Sequence, residues 1–119
     1  MRMRQLAILS ALAAMIPACA VAQDREPDWL KRPTAQQLQR VVPAEALSKG
    51  RSGEATISCI VTVQGPLRDC RVTSEFPAGL GYGEAALAMA PQFVMRPAMR
   101  GGVPIEATAR IPLKWDLTG

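Results

Sequence analysis

Cys59 and Cys70 are the residues of this chain whose type and spacing come closest to chemistry. They sit in the stretch ISCIVTVQGPLRDCRV, on either side of the turn signal Gln64-Gly65-Pro66. Such a pair can ligate a metal, run thiol redox chemistry, or form a disulfide. The chain has no histidine, which removes every Cys/His zinc site. Two thiolates also fall short of the four ligands that a structural zinc takes. Ten residues separate the cysteines, against the two of a C-x-x-C redox motif. A disulfide remains, provided that the chain lives in an oxidising compartment.

The rest of the sequence offers catalysis little. Without histidine there is no Ser-His or Cys-His pair. The ten carboxylates are scattered singly, and Ser48, Ser52, Ser58 and Ser74 sit in no nucleophile motif. Gly79, Gly81 and Gly83 precede a predicted helix but lack the following lysine and the βαβ setting of a phosphate loop. They read as a loop and a helix start. The expectation is a protein that is not an enzyme, with no metal, no cofactor and no small-molecule substrate.

The compartment is read from the N-terminus. Arg2 and Arg4 precede an uncharged apolar run, and Ala20-Val21-Ala22 is an A-x-A cleavage signal followed by Gln23. That is the layout of a secretory signal peptide over residues 1–22. Two other readings stay open. An uncleaved anchor would have to span with a short run that carries Pro17. Ile16-Pro17-Ala18-Cys19 also forms a degenerate lipobox that would make Cys19 a lipid anchor. Cleavage before Gln23 leaves 97 residues with 12 basic and 10 acidic side chains, one small domain of modest charge. With no basic run beyond Lys31-Arg32 and few aromatic residues, a nucleic-acid partner has no support. Export to the periplasm leaves Cys59 and Cys70 as the pair to be oxidised.

These side chains need elements to hold them. Residues 23–33 read as a polar extended lead whose Trp29 docks on the body. Residues 34–119 read as the domain. Thr34 and Gln37 match a capping box for a short helix. Pro43 and Gly50 bracket another, with Pro43 suited to its first position. Residues 54–63 and 67–75 form a predicted hairpin whose register opposes Cys59 to Cys70, Ile57 to Val72 and Val61 to Arg68. Pro66 cannot donate to a ladder next to the turn, so a wider loop is equally compatible. A helix starting at Tyr82 places Tyr82, Ala86, Met89 and Phe93 on one buried face. Strict alternation of apolar and polar residues from Val103 to Trp115 predicts one long strand with one face buried. The fold class is α+β: helices packed on a three-stranded antiparallel sheet, leaving an open edge on which a peptide can add as a strand.

Taken in order, several of these stretches resemble one family. Pro43, Ala46 and Gly50, then Gly53-Glu54 opening a strand and Gly65 in the hairpin turn, form its first half. Ala85-Ala86-Leu87, Phe93 ahead of Arg96-Pro97-Ala98, and Gly102-x-Pro104-Ile105 before the last strand complete it. The set resembles the C-terminal domain of TonB, the energy transducer of Gram-negative envelopes, over most of residues 35–115. The resemblance implies two helices on a three-stranded antiparallel sheet. It also implies strand pairing with the short N-terminal box of an outer-membrane receptor, in TonB-dependent transport, and names the last strand as the pairing edge. A full transducer carries a membrane anchor and a long proline-rich rod. Residues 23–33 reach at most about 36 Å, so the expectation is a TonB-type binding domain exported alone. The alternative is an interaction or structural protein that reuses the fold for another envelope partner.

Proline spacing narrows the pairing site. Pro104 and Pro112 share parity with Glu106, Thr108 and Arg110. Prolines sit best where the missing N–H would face the open edge. Glu106, Thr108 and Arg110 then offer both backbone groups to an incoming strand.

Overall fold

The computed structural model describes residues 24–117. The signal and cleavage residues Ala20, Ala22 and Gln23, and Cys19, lie outside them. Four residues of the lead form strand β1 (Asp28–Lys31). Helix α1 (Ala35–Arg40) follows, capped as its sequence dictates: the Thr34 hydroxyl accepts from the Gln37 N–H at 3.1 Å, and the Gln37 side chain accepts from the Thr34 N–H at 2.8 Å. Helix α2 (Ala44–Lys49) is capped by Pro43 itself, one position earlier than expected, and stops at left-handed Gly50 (φ 60°).

Strand β2 (Gly53–Val61) and strand β3 (Leu67–Phe76) form the hairpin. Its turn is the wider one: Gly65 donates to the Thr62 carbonyl at 3.0 Å, and Thr62 donates to the Pro66 carbonyl at 3.1 Å. Pro66 is asked only to accept. Ile57 does face Val72, but Val61 faces Leu67 and Arg68 faces Ile60. The difference comes from a bulge at Asp69; a second bulge, at Thr73, shifts the register only toward the open end of the hairpin, and both are extra residues of β3. Asp69 has φ 53°, a conformation that Asp tolerates better than most side chains. Composition reveals a strand but not where it bulges.

Helix α3 (Tyr82–Met89) runs into a single 3-10 turn over Ala90–Gln92, so the chain stays helical across Pro91. Tyr82, Ala86, Met89 and Phe93 are all buried, as their spacing requires. They pack on the inner face of β2 (Ala55, Ile57, Cys59, Val61) and of the last strand, each side chain two residues from the next. Gly83 lets α3 lie close to β3: a Cβ there would stand 3.1 Å from both Val72 methyls.

Three short strands follow: β4 (Val94–Arg96), β5 (Ala98–Arg100) and β6 (Val103–Ile105). The lead runs along β4, and β5 folds back on β6. The last strand, β7 (Ala107–Trp115), pairs antiparallel with β2 without a register shift, from Gly53 opposite Trp115 to Val61 opposite Ala107. The sheet order is β3-β2-β7. The alternation over 103–115 is therefore two strands, broken at Glu106, where the chain leaves β5 and takes up β2. Periodicity is blind to such a change because apolar and polar residues go on alternating across it, although Val103 and Pro104 are both exposed in β6.

Candidate functional site

The two cysteines meet. Cys59 and Cys70 are disulfide-bonded across the hairpin, with Cα atoms 4.1 Å apart. Cys59 lies in the core, and Cys70 packs against it from beside the Asp69 bulge. The bond is a staple of the sheet. Among the described residues no group of three or more Cys, Asp or Glu side chains could hold a metal.

The open edges of the sheet are the other candidate. Two strands flank β2, and they differ. β3 carries two bulges, which bend an edge away from regular pairing. β7 keeps an uninterrupted nine-residue register with β2, and no other strand pairs with it among the described residues. It is the more regular template.

The direction of its backbone groups can be fixed. The Thr73 hydroxyl of β3 donates to the Thr56 carbonyl at 3.2 Å, so the Thr56 backbone points toward β3 and away from β7. Thr56 stands opposite Pro112, which makes theirs a non-hydrogen-bonded pair. Pro112 thus turns its nitrogen to the outer edge, where a missing donor costs the ladder nothing. Thr108, Arg110 and Lys114 share its parity, and all are exposed. Pro104 follows the same rule. Met99 exchanges both hydrogen bonds with Arg25, so its partner Pro104 in β6 also faces outward. Lys114 belongs to this set, although a window bounded by the two prolines leaves it out.

Of the three residues expected on the edge, Thr108 and Arg110 lie in β7, whereas Glu106 sits at the break before it. Its carboxylate accepts a hydrogen bond from the Arg68 guanidinium of β3, which also holds Asp69 at 2.6 Å. The hydrogen bond to Glu106 is the main reason that the Arg68 pKa lies above its ordinary value. This exposed triplet ties β3 to the start of β7 over the outer face of the sheet. Arg110 has no carboxylate in ion-pair range among the described residues, and neither has Lys114.

The far end of β7 is anchored. The Trp115 indole donates to the Leu38 carbonyl of α1 at 2.9 Å and packs on Tyr82 with ring centres 5.0 Å apart. The Tyr82 hydroxyl donates to the Arg51 carbonyl at 2.5 Å, and burial is the main cause that pushes its pKa up. Nearby, a shallow depression of about 300 Å³ is lined by Gly53, Glu54, Phe76 and Lys114 among others. Among the described residues no helix is long and apolar enough to cross a membrane.

Comparison with known proteins agrees with this fold. No curated protein matches the chain. The solution NMR structure of the Pseudomonas aeruginosa TonB CTD is similar in fold, with a TM-score of 0.54 at 17% identity, over 81% of this chain and 89% of that one. The family model for the Gram-negative bacterial TonB protein C-terminal matches residues 39–117. With well over half of its length matched, including every strand of the main sheet, the chain belongs to the TonB C-terminal domain family.

Proposed function

We propose that this domain binds an extended segment of an outer-membrane receptor by adding it as a fourth strand on the open edge of β7. The family is one of periplasmic, non-enzymatic domains, and its members interact with outer-membrane receptors generally. The observation that carries the reading is the outward turn of Thr108, Arg110 and Lys114 on a strand without bulges. An incoming chain would find both backbone groups at those three residues, and only a carbonyl at Pro112. The prolines restrict pairing to short segments and protect against indiscriminate addition. Glu106 lies next to this window and, with Arg110, biases the charge of the segment accepted. An acidic side chain placed opposite Arg110 or Lys114 would be a favourable cross-strand pair.

The same reading has the chain exported by residues 1–22 and resident in the periplasm, with the disulfide formed there. Mass spectrometry of the secreted N-terminus distinguishes Gln23, a lipidated Cys19 and an uncleaved Met1.

The test of binding is a titration with a receptor-box peptide, followed through backbone amide shifts. Saturable shifts centred on Thr108, Arg110 and Lys114, extending to Glu106, and lost in a folded Thr108→Pro variant, are expected. Shifts confined to β3, or no saturable binding, would overturn the proposal. Binding of a different extended envelope peptide at the same amides, with no response to the receptor box, would favour the non-transport use of the fold.

A further inference from the structure

Strand β1 and the residues before it lie outside the segment covered by the family model, yet they are tied into the fold at both ends. At one end Arg25 and Met99 exchange both backbone hydrogen bonds, at 2.9 and 2.8 Å. The Asp24 carboxylate accepts from the Gly101 N–H at 2.7 Å. At the other end Trp29 lies edge-on to buried Phe93, with ring centres 5.3 Å apart. Between the two anchorages the ladder fails. The register is the same on either side of the gap, with Arg25 opposite Met99 and Asp28 opposite Arg96, so Pro27 stands opposite Pro97.

That opposition matters because of where it falls. Hydrogen-bonded positions recur at every second residue of an antiparallel pair. Arg25 and Met99 form one, and the next is Pro27 with Pro97. Neither proline has an N–H to give. Two ladder bonds are absent there, and the Pro97 carbonyl takes the Arg25 guanidinium at 3.4 Å instead. The edge is thus filled by a strand that cannot satisfy its centre. On its other side β5 is already held by β6, so the Met99 end of the edge keeps a strand partner when the lead leaves.

We propose that the edge formed by Met95, Pro97 and Met99 is a second strand-acceptor site, closed in cis by residues 24–31. Its occupant in trans is an extended segment of a partner protein with three features. A carboxylate lies at the register of Asp24, to take the Gly101 N–H. A residue other than proline lies at the register of Pro27, to donate to the Pro97 carbonyl. An aromatic ring lies at the register of Trp29, to cover Phe93. This edge is separate from that of β7, and its test does not depend on the receptor reading. Tethering gives the lead a high effective concentration, so exchange requires the lead to be loosened.

The experiment uses the full chain in four forms: unaltered, Pro27→Ala, and two loosened forms, Trp29→Ala and Arg25→Pro. The probe is a peptide of residues 24–32 carrying Pro27→Ala. In cis, Pro27→Ala should slow amide exchange at Met99 by about three- to ten-fold, the worth of one hydrogen bond. In trans, the probe should bind the loosened chains more tightly than the Pro27→Ala chain. It should shift the Met95, Met99 and Gly101 amides and leave those of β7 unmoved. The same peptide with its native Pro27 should bind more weakly, by a similar factor. Amide exchange in β2 reports whether each variant keeps its core, and Arg25→Pro replaces Trp29→Ala if the latter does not. Unchanged Met99 exchange in Pro27→Ala overturns the proposal. So does equal probe binding to all forms, or probe shifts that fall on β7.

Discussion

The Thr73 hydroxyl reaches over to the Thr56 carbonyl at 3.2 Å, and that one contact sorts the backbone of β7 into an inner and an outer set. Thr56 faces Pro112 across the β2–β7 pair, so the even-numbered residues of β7 point outward and the odd-numbered ones bond to β2. Proline substitution tests this without any ligand. Thr108→Pro should change stability by no more than about 1 kcal/mol, as a surface substitution does. Ile111→Pro orphans a buried carbonyl of β2 and should cost at least about 1–3 kcal/mol, before any cost of repacking. Chemical denaturation of the two variants gives the comparison. Equal losses would mean that the sorting is wrong.

The disulfide closes a loop with a sequence separation of 11. In the chain-entropy account it stabilises by about 3 kcal/mol. Replacing Cys70 by alanine should lower the unfolding free energy by roughly that amount, while the far-ultraviolet circular dichroism stays native. The α3 and β7 faces of the core do not depend on the bond. Denaturation of the oxidised parent beside the variant measures the difference, and a loss below about 1 kcal/mol would show that the bulged hairpin holds its register without the staple.

Two glycines should respond differently to alanine. At Gly53 an added Cβ would stand 2.3 Å from the Tyr82 ring, which is wedged against Trp115. The ring cannot move without opening the core, so Gly53→Ala should cost about 1–3 kcal/mol or more. At Gly50 an added Cβ meets nothing within 4 Å, and only the left-handed φ of 60° opposes it. That cost is about 1–2 kcal/mol. The two are separable by thermal unfolding with near-ultraviolet circular dichroism: only Gly53→Ala should also alter the Tyr82–Trp115 signal in the folded protein.

Tyr82 is the sole tyrosine of the chain, so its titration can be read directly in the ultraviolet. Burial raises its folded pKa above the ordinary value of 10.0, because the phenolate would lose its hydration. A group whose folded pKa lies above its unfolded one contributes fully below the unfolded pKa and loses that contribution as pH rises through the folded pKa. Unfolding free energy should therefore carry no Tyr82-linked slope below pH 10.0, and should fall above it. Tyr82→Phe should remove that slope. It should also cost about 0.5–1.5 kcal/mol at neutral pH through the lost hydrogen bond to the Arg51 carbonyl.

Residue type and period by themselves determined most of the main sheet and its helices. The capping box at Thr34 and Gln37, the stop at Gly50, the buried stripe from Tyr82 to Phe93 and the meeting of Cys59 with Cys70 all follow from local chemistry. Each depends on neighbours in sequence or on one simple hairpin. What only the tertiary structure decided depends on which strands lie side by side. The bulges at Asp69 and Thr73 set the register of β3 against β2, and no composition signals them. The break at Glu106 exists because β5 and β2 succeed one another along the same side of one alternating stretch. The outward set of β7 needed the Thr73–Thr56 contact, and Lys114 joined it only through parity. The opposition of Pro27 and Pro97 joins residues 70 positions apart, a distance at which local propensity carries no information.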